Sequence, residues 1–161
     1  MARRLYESNE DRHNESAIAR RIERAWKVEL KKLPMSYALD YAVTRDNQVV
    51  GWVEVKKRNI APSWKSIIIS VRKWRDGCLL ASTTGFGWAF VVENARDGKL
   101  WWFDCSDVMD EDIDLTVEWG GRTKKTRDSG DIEPVIHLPT KMFKQVDGYT
   151  GEDLLSAGFV V

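Results

Sequence analysis

Cysteine is almost missing from this 161-residue chain. Cys78 and Cys105 are the only two, too few for a disulfide framework, and they read as ordinary buried or half-buried thiols. Histidine is equally scarce: His13 and His137 stand far apart with no ligand-spaced partner, which excludes a structural zinc site of the usual kind. Apolar runs reach only about half of the roughly 18 residues that a membrane-spanning helix needs. No apolar segment follows Met1-Ala2-Arg3-Arg4, so no secretory signal is expected. A glycine-rich phosphate loop and a G-x-S-x-G elbow are also missing. The acidic run Asp107–Asp114 lacks the spacing and the glycine of an EF-hand and reads as a solvated loop. Eight Trp and 43% apolar residues exclude a disordered chain. The expectation is one soluble, cytosolic domain over residues 1–161, with no repeat and no internal linker.

Net charge is missing too, since 25 Lys and Arg meet 25 Asp and Glu. The zero conceals a division. Residues 1–75 carry 17 basic and 9 acidic residues, a net of +8, and residues 76–161 carry 8 and 16, a net of −8. A division of this size predicts a basic surface supplied by the first half, for which nucleic acid is the usual partner. If the two halves interleave in space, the charges average out instead.

Helical spacing of Ala17, Ile18, Ile22, Ala25, Trp26, Leu30 and Leu33 predicts a helix from Asn14, as N-cap, to Leu33, closed by Pro34. The period then changes to two. Tyr37–Thr44 and Val49–Lys57 read as a β-hairpin around Arg45-Asp46-Asn47-Gln48. Ile67-Ile68-Ile69 reads as extended chain leading to Ser70, the N-cap of a helix from Val71 to about Ser82 with Val71, Trp74, Cys78 and Ala81 on one face. A second hairpin joins Trp88–Asn94 to Leu100–Cys105 through Asp97-Gly98. Strands are expected near Leu115–Trp119 and Pro134–Leu138, a polar loop between them, and a helical turn over Thr140–Val146. This order means an α+β fold with a central mixed sheet.

Three charged residues interrupt the apolar strands of the first hairpin: Asp40, Glu54 and Lys56. Glu54 and Lys56 are two apart and share a face. Asp40 joins that face if it pairs with Glu54. This requires an odd-length loop, such as Asp46-Asn47-Gln48, or a β-bulge. Two carboxylates on a half-buried face repel one another, and a divalent cation is the natural compensation. Mg²⁺ takes one or two carboxylates and keeps several waters. A lysine beside it is placed to orient an attacking water or to balance phosphoryl charge. In outline this is a phosphodiester-hydrolysis site.

Asp40, thirteen intervening residues and then Glu54-Val55-Lys56 resemble the D…(D/E)-x-K signature of the PD-(D/E)XK nuclease superfamily, with Leu39 in place of the usual proline. The likeness covers residues 14–105 well and 106–161 loosely, and extends to small phage-type and Holliday-junction-resolvase-like members. It implies a restriction-endonuclease-like core in the order α-β-β-β-α-β. It also implies a Mg²⁺-dependent (or Mn²⁺-dependent) DNA endonuclease in the cytoplasm of a bacterium or an infected host cell, with a homodimer as one arrangement. Asp40, Glu54 and the Val55 carbonyl would be metal ligands and Lys56 the catalytic lysine. Glu15, 25 residues before Asp40, would be the helix-borne glutamate, with Glu29 its competitor. Ser70-Val71-Arg72-Lys73 resembles the element following the motif, so Lys73 joins Lys57, Arg58 and Arg72 as candidate nucleic-acid contacts. Trp119-Gly120-Gly121-Arg122 and Asp131-Ile132-Glu133-Pro134 also resemble the phage-type members, without assigned chemistry.

Other readings stay open on sequence. One is a nuclease-like module that binds DNA or a protein without cutting. Another is an assembly protein whose adjacent Trp101 and Trp102 serve an oligomer interface.

Overall fold

The computed structural model describes residues 9–106, 115–121 and 132–148. The acidic run 107–114, most of the polar loop and the tail from 149 lie outside the described residues.

Helix α1 spans Asn9–Trp26, starting before Asn14 and ending seven residues before Leu33. Lys27, at φ 53, turns left-handed, and the Val28 N–H bonds the Glu23 carbonyl at 3.3 Å. This is a Schellman closure without glycine. Chain reversal here frees Glu29–Lys32 to form strand β1. The apolar period misled because Leu30, now on an edge strand, packs against the same core as Ile18, Ile22 and Trp26. Ala17, expected on the buried face, is exposed.

The first hairpin consists of β2 (Tyr41–Arg45) and β3 (Gln48–Arg58). Its two-residue turn is Asp46-Asn47, with φ of 50 and 62. Both short polar residues tolerate that region and suit a type I′ turn. The sheet continues through β5 (Trp88–Asn94), parallel to β3, and β6 (Leu100–Asp104), antiparallel to β5. A two-residue β9 (Lys144–Gln145) completes the strand order β1-β2-β3-β5-β6-β9. Helix α2 (Val71–Thr84) makes the crossover from β3 to β5. The expected core order is therefore met by α1, β1, β2, β3, α2 and β5, its first strand having been hidden in the predicted helix.

Ile67-Ile68-Ile69 belongs to β4 (Ser66–Ser70), which stands outside the central sheet. It pairs with β8 (Ile132–Pro139), which pairs with β7 (Thr116–Gly121), forming a second, three-stranded sheet. The helical turn expected over 140–146 is a 3-10 turn at Thr140–Met142, followed by β9 and a second 3-10 turn at Val146–Gly148.

Two apolar layers cover the central sheet. On one face Ile18, Ile22 and Trp26 of α1 meet Val53, Val55 and Val91. On the other, the predicted α2 face of Val71, Trp74, Cys78 and Ala81 meets Trp88, Phe90 and Phe103. Of the adjacent pair, Trp102 is fully buried edge-on to Trp26 at 5.4 Å, and Trp101 is half-buried against the opposite layer. The exposed indoles are Trp64 and Trp119 instead. Among the described residues no helix is long and apolar enough to cross a membrane.

Candidate active site

The β2–β3 register pairs Tyr41 with Val53, and one step further back it sets Asp40 against Glu54. A bulge at Val50, between the pairs Val43–Gly51 and Thr44–Val49, supplies the odd residue that this face requires. The Val55 N–H donates to Asp40 Oδ2 at 3.0 Å and fixes the carboxylate at the strand end. Asp40 is 9% exposed and Glu54 1%.

Lysines converge on the pair from three elements. From the first turn of α2, Lys73 Nζ donates to Glu54 Oε2 at 3.0 Å, approaches Oε1 at 3.0 Å, and lies 4.0 Å from Asp40 Oδ1. Ser70, accepting the Lys73 N–H at 3.2 Å, caps the helix and sets its start. Lys56 Nζ stands 3.7 Å from Glu54 Oε1. Lys32, on β1, donates to Glu15 Oε2 and lies 3.7 Å from Asp40 Oδ1. Glu15 therefore reaches the cluster from α1 through a shared lysine. Glu29 is exposed on β1 opposite Thr44, so it is not the helix-borne glutamate.

Burial and the neighbouring Asp40 charge push the Glu54 carboxyl up to about 7, against the opposing pull of Lys73 and Lys56. Burial acts on Asp40 in the same sense, but Lys73, Lys56, the Val55 N–H and Lys32 outweigh it and hold this carboxyl below its ordinary value. Glu15 is raised, by burial first and Asp40 second. Desolvation lowers Lys73, yet Glu54 and Asp40 more than reverse it, and the ammonium stays charged. The two carboxyls of the hairpin are thus driven apart, one kept ionised and the other near neutrality.

Of the four candidate phosphate contacts, Lys73 lies inside this cluster. Lys57 pairs with Glu93 at 3.3 Å, and Arg72 lies 4.0 Å from Asp76 one turn along α2. Arg58 closes the exposed end of β3. Glu93 also receives Arg21 at 2.9 Å, so the two oppositely charged halves of the chain do interleave along this edge. Sequence reasoning missed Lys32. Its signal was an apolar-polar alternation too short to separate from the end of a helix.

Among the described residues no three His, Cys, Asp or Glu side chains form a ready metal cluster. The fit therefore rests on two carboxylates. Glu54 Oε1 is buried and accepts no well-oriented hydrogen bond, its cationic neighbours being Lys73 at 3.0 Å and Lys56 at 3.7 Å, and Asp40 stands opposite. Two carboxylates match the ligand demand of Mg²⁺.

The mixed sheet between two helices, with a carboxylate pair and lysine on its central hairpin, defines a restriction-endonuclease-like fold. Residues 1–146 match the family described as "Phage putative PDDEXK endonuclease", and the chain belongs to that family of nucleases. In fold it is similar to Archaeoglobus fulgidus Hjc, a Holliday junction resolvase from an archaeal hyperthermophile. The TM-score is 0.57 at 12% identity, over 95% of this chain and 99% of that one. No curated protein matches the chain.

Proposed function

We propose that the protein is a divalent-metal-dependent DNA endonuclease, acting in the cytoplasm of a bacterium or an infected host cell. The observation that carries this reading is the buried Asp40–Glu54 pair, set face to face by a bulged hairpin with Lys56 on the same face. Asp40, Glu54 and the Val55 carbonyl would hold Mg²⁺ or Mn²⁺. Such an ion acidifies a water and offsets charge on the phosphoryl oxygens. The remaining work falls to the chain itself. Lys56 orients the attacking water and balances charge at the phosphorus. Glu15, held by Lys32, positions outer water. Lys57, Arg58 and Arg72 hold flanking phosphates, and Lys73 keeps the carboxylates together.

A catalytically silent module that binds DNA or a protein partner is the second reading. The close fit of Lys73 to Glu54 favours it, because the ammonium already neutralises that carboxylate. Cleavage of plasmid and four-way-junction DNA with Mg²⁺ or Mn²⁺ separates the two. Wild type should cut, and Asp40→Ala and Lys56→Ala should each lose at least about 100-fold, the scale of a lost transition-state contact. Equal residual activity in all three proteins would refute the assignment. Calorimetry showing no metal uptake, with DNA affinity intact, would establish the silent module. Sedimentation with and without a junction tests for a homodimer, in which two sites would suit a branched substrate.

A further inference from the structure

The carboxylate pair already holds a cation of the chain's own. Lys73 Nζ lies 3.0 Å from both oxygens of Glu54 and 4.0 Å from Asp40 Oδ1. The Val55 N–H takes Asp40 Oδ2, which leaves Oδ1 as the oxygen for a shared ion. The ammonium that keeps the two carboxylates together therefore stands among the oxygens that a divalent cation bridging them would use.

Helix chemistry does not account for a lysine at this position. The first turn of α2 carries Arg72 and Lys73 and no acidic residue, although the positive end of a helix dipole disfavours cations. Ser70 fixes the start of the helix by accepting the Lys73 N–H, and from that start the side chain reaches Glu54. What holds the ammonium there is the pair of carboxylates.

The neighbouring lysines do not fill the same place. Lys32 donates to Glu15, and Lys56 comes no closer to Glu54 Oε1 than 3.7 Å. Glu54 itself is 1% exposed, so with Lys73 against both of its oxygens it offers almost no surface to an incoming ion. A small divalent ion binds a carboxylate oxygen at about 2.0–2.1 Å. An ammonium 3.0 Å from the same oxygens would then be left beside a like charge, in a buried setting that screens the repulsion least. The two cations exclude one another.

We propose that Lys73 is an internal counter-cation that competes with divalent metal for the Asp40–Glu54 pair, so that metal enters only as the ammonium leaves. This rests on the metal-dependent nuclease reading and adds to it a control of metal loading by the first turn of α2. With the ammonium in place about nine-tenths of the time, the competent fraction is about one-tenth. The apparent metal affinity is then about tenfold weaker than the carboxylates alone would give.

The test is Mn²⁺ titration of the full-length protein at about pH 8, followed by the electron paramagnetic resonance of the free ion. That pH lies above the value of about 7 for the Glu54 carboxyl, which leaves the lysine rather than a proton as the competitor. Lys73→Met and Lys73→Gln should each bind Mn²⁺ about tenfold more tightly than wild type. Lys57→Met, which removes an equal charge that is paired with Glu93 instead, should stay within about twofold. Wild type supplies a second measurement that needs no variant to fold. Acetylation of Lys73, read by peptide mass spectrometry, should be about tenfold faster in saturating Mg²⁺ than in chelator.

Equal Mn²⁺ affinity of wild type and both Lys73 variants would overturn the proposal. Weaker binding by the variants would too, by making the lysine a support of the metal site. Equal tightening by Lys57→Met would reduce the effect to net charge and overturn it as well, as would Lys73 labelling that Mg²⁺ leaves unchanged or slows. If neither wild type nor the Lys73 variants take up Mn²⁺, or if Asp40→Ala binds it as wild type does, the metal-dependent nuclease reading itself falls. The proposal falls with it, by an outcome distinct from the others.

Discussion

Lys73 places its ammonium 3.0 Å from both carboxylate oxygens of Glu54, the most deeply buried charged group among the described residues. A lysine from the first turn of one helix thus compensates a glutamate in the middle of a central strand. Removing it leaves a buried carboxylate short of its main partner, the costly half of a broken buried pair. Lys73→Met should lower the stability of the metal-free protein by about 1–3 kcal/mol, discounted because the lysine is itself partly exposed. Adding Glu54→Gln should recover much of that loss. Urea denaturation of the two single variants and the double variant checks the coupling, and simple additivity would contradict it.

Stability of the metal-free protein should depend on pH through the same pair, with opposite signs. The Glu54 carboxyl sits at about 7, above its ordinary 4.5, so the folded state holds that proton more tightly than the unfolded chain. Its stabilising contribution is full below about pH 4.5 and is lost as the pH rises through about 7. Asp40 is lowered from 3.8, so its contribution is present above that value and is lost as the pH falls further. Thermal denaturation in a chelator from pH 5 to 8 should show a decline in the wild type that Glu54→Gln makes shallower, the remainder belonging to Glu15, which is raised in the same sense. Parallel curves for the two proteins would sink this account.

The two glutamates that sequence left in competition should separate in a cleavage assay. Glu15→Gln should reduce the rate at least about tenfold if Glu15 has the water-positioning role proposed for it, since it reaches Asp40 through Lys32. Glu29→Gln, exposed on the edge strand, should leave the rate within about twofold. The reverse order would mean that α1 does not serve the site.

Gly77 gives a prediction against helix propensity. Alanine in a helix interior is ordinarily better than glycine by about 1 kcal/mol. Here a Cβ would lie 2.6 Å from the fully buried Trp88 indole. Gly77→Ala should therefore destabilise the protein by about 1–3 kcal/mol, the range for overpacking, as read from chemical denaturation. A stabilised variant would show that Trp88 can move aside.

The hairpin, α2 with its Ser70 cap, and the second hairpin were legible because each rests on local chemistry: alternation, a capping hydroxyl, and Asp-Gly at a turn. So was the face shared by Glu54 and Lys56, which follows from the pleat. Strand β1 was not, since four residues of edge strand carry too little alternation to interrupt a helical period that Leu30 continues. The separate sheet of β4, β8 and β7 was hidden as well. Pairing Ile69 with Ile136, or Trp119 with Pro134, is a long-range relation that neither strand's own sequence encodes. Lys32 was missed for the reason that β1 was. The exposure of Trp119 was missed because aromatic residues are expected inside.

The bulge at Val50 determines what can vary in the spacing of the signature. Between Asp40 and Glu54 lie the five residues of β2, the two of the turn and six of β3, one more on the second strand than on the first. Lengthening the hairpin by one rung adds two residues and leaves the site untouched. Adding one residue to either strand, with the bulge and the two-residue turn kept, slips the register and turns Asp40 to the opposite face of the sheet. The number thirteen is thus an accident of hairpin length, while its oddness follows from joining one bulge to a two-residue turn. Relatives that keep both are free to keep any odd separation, and those that lack the bulge need an even one to set the same two residues face to face.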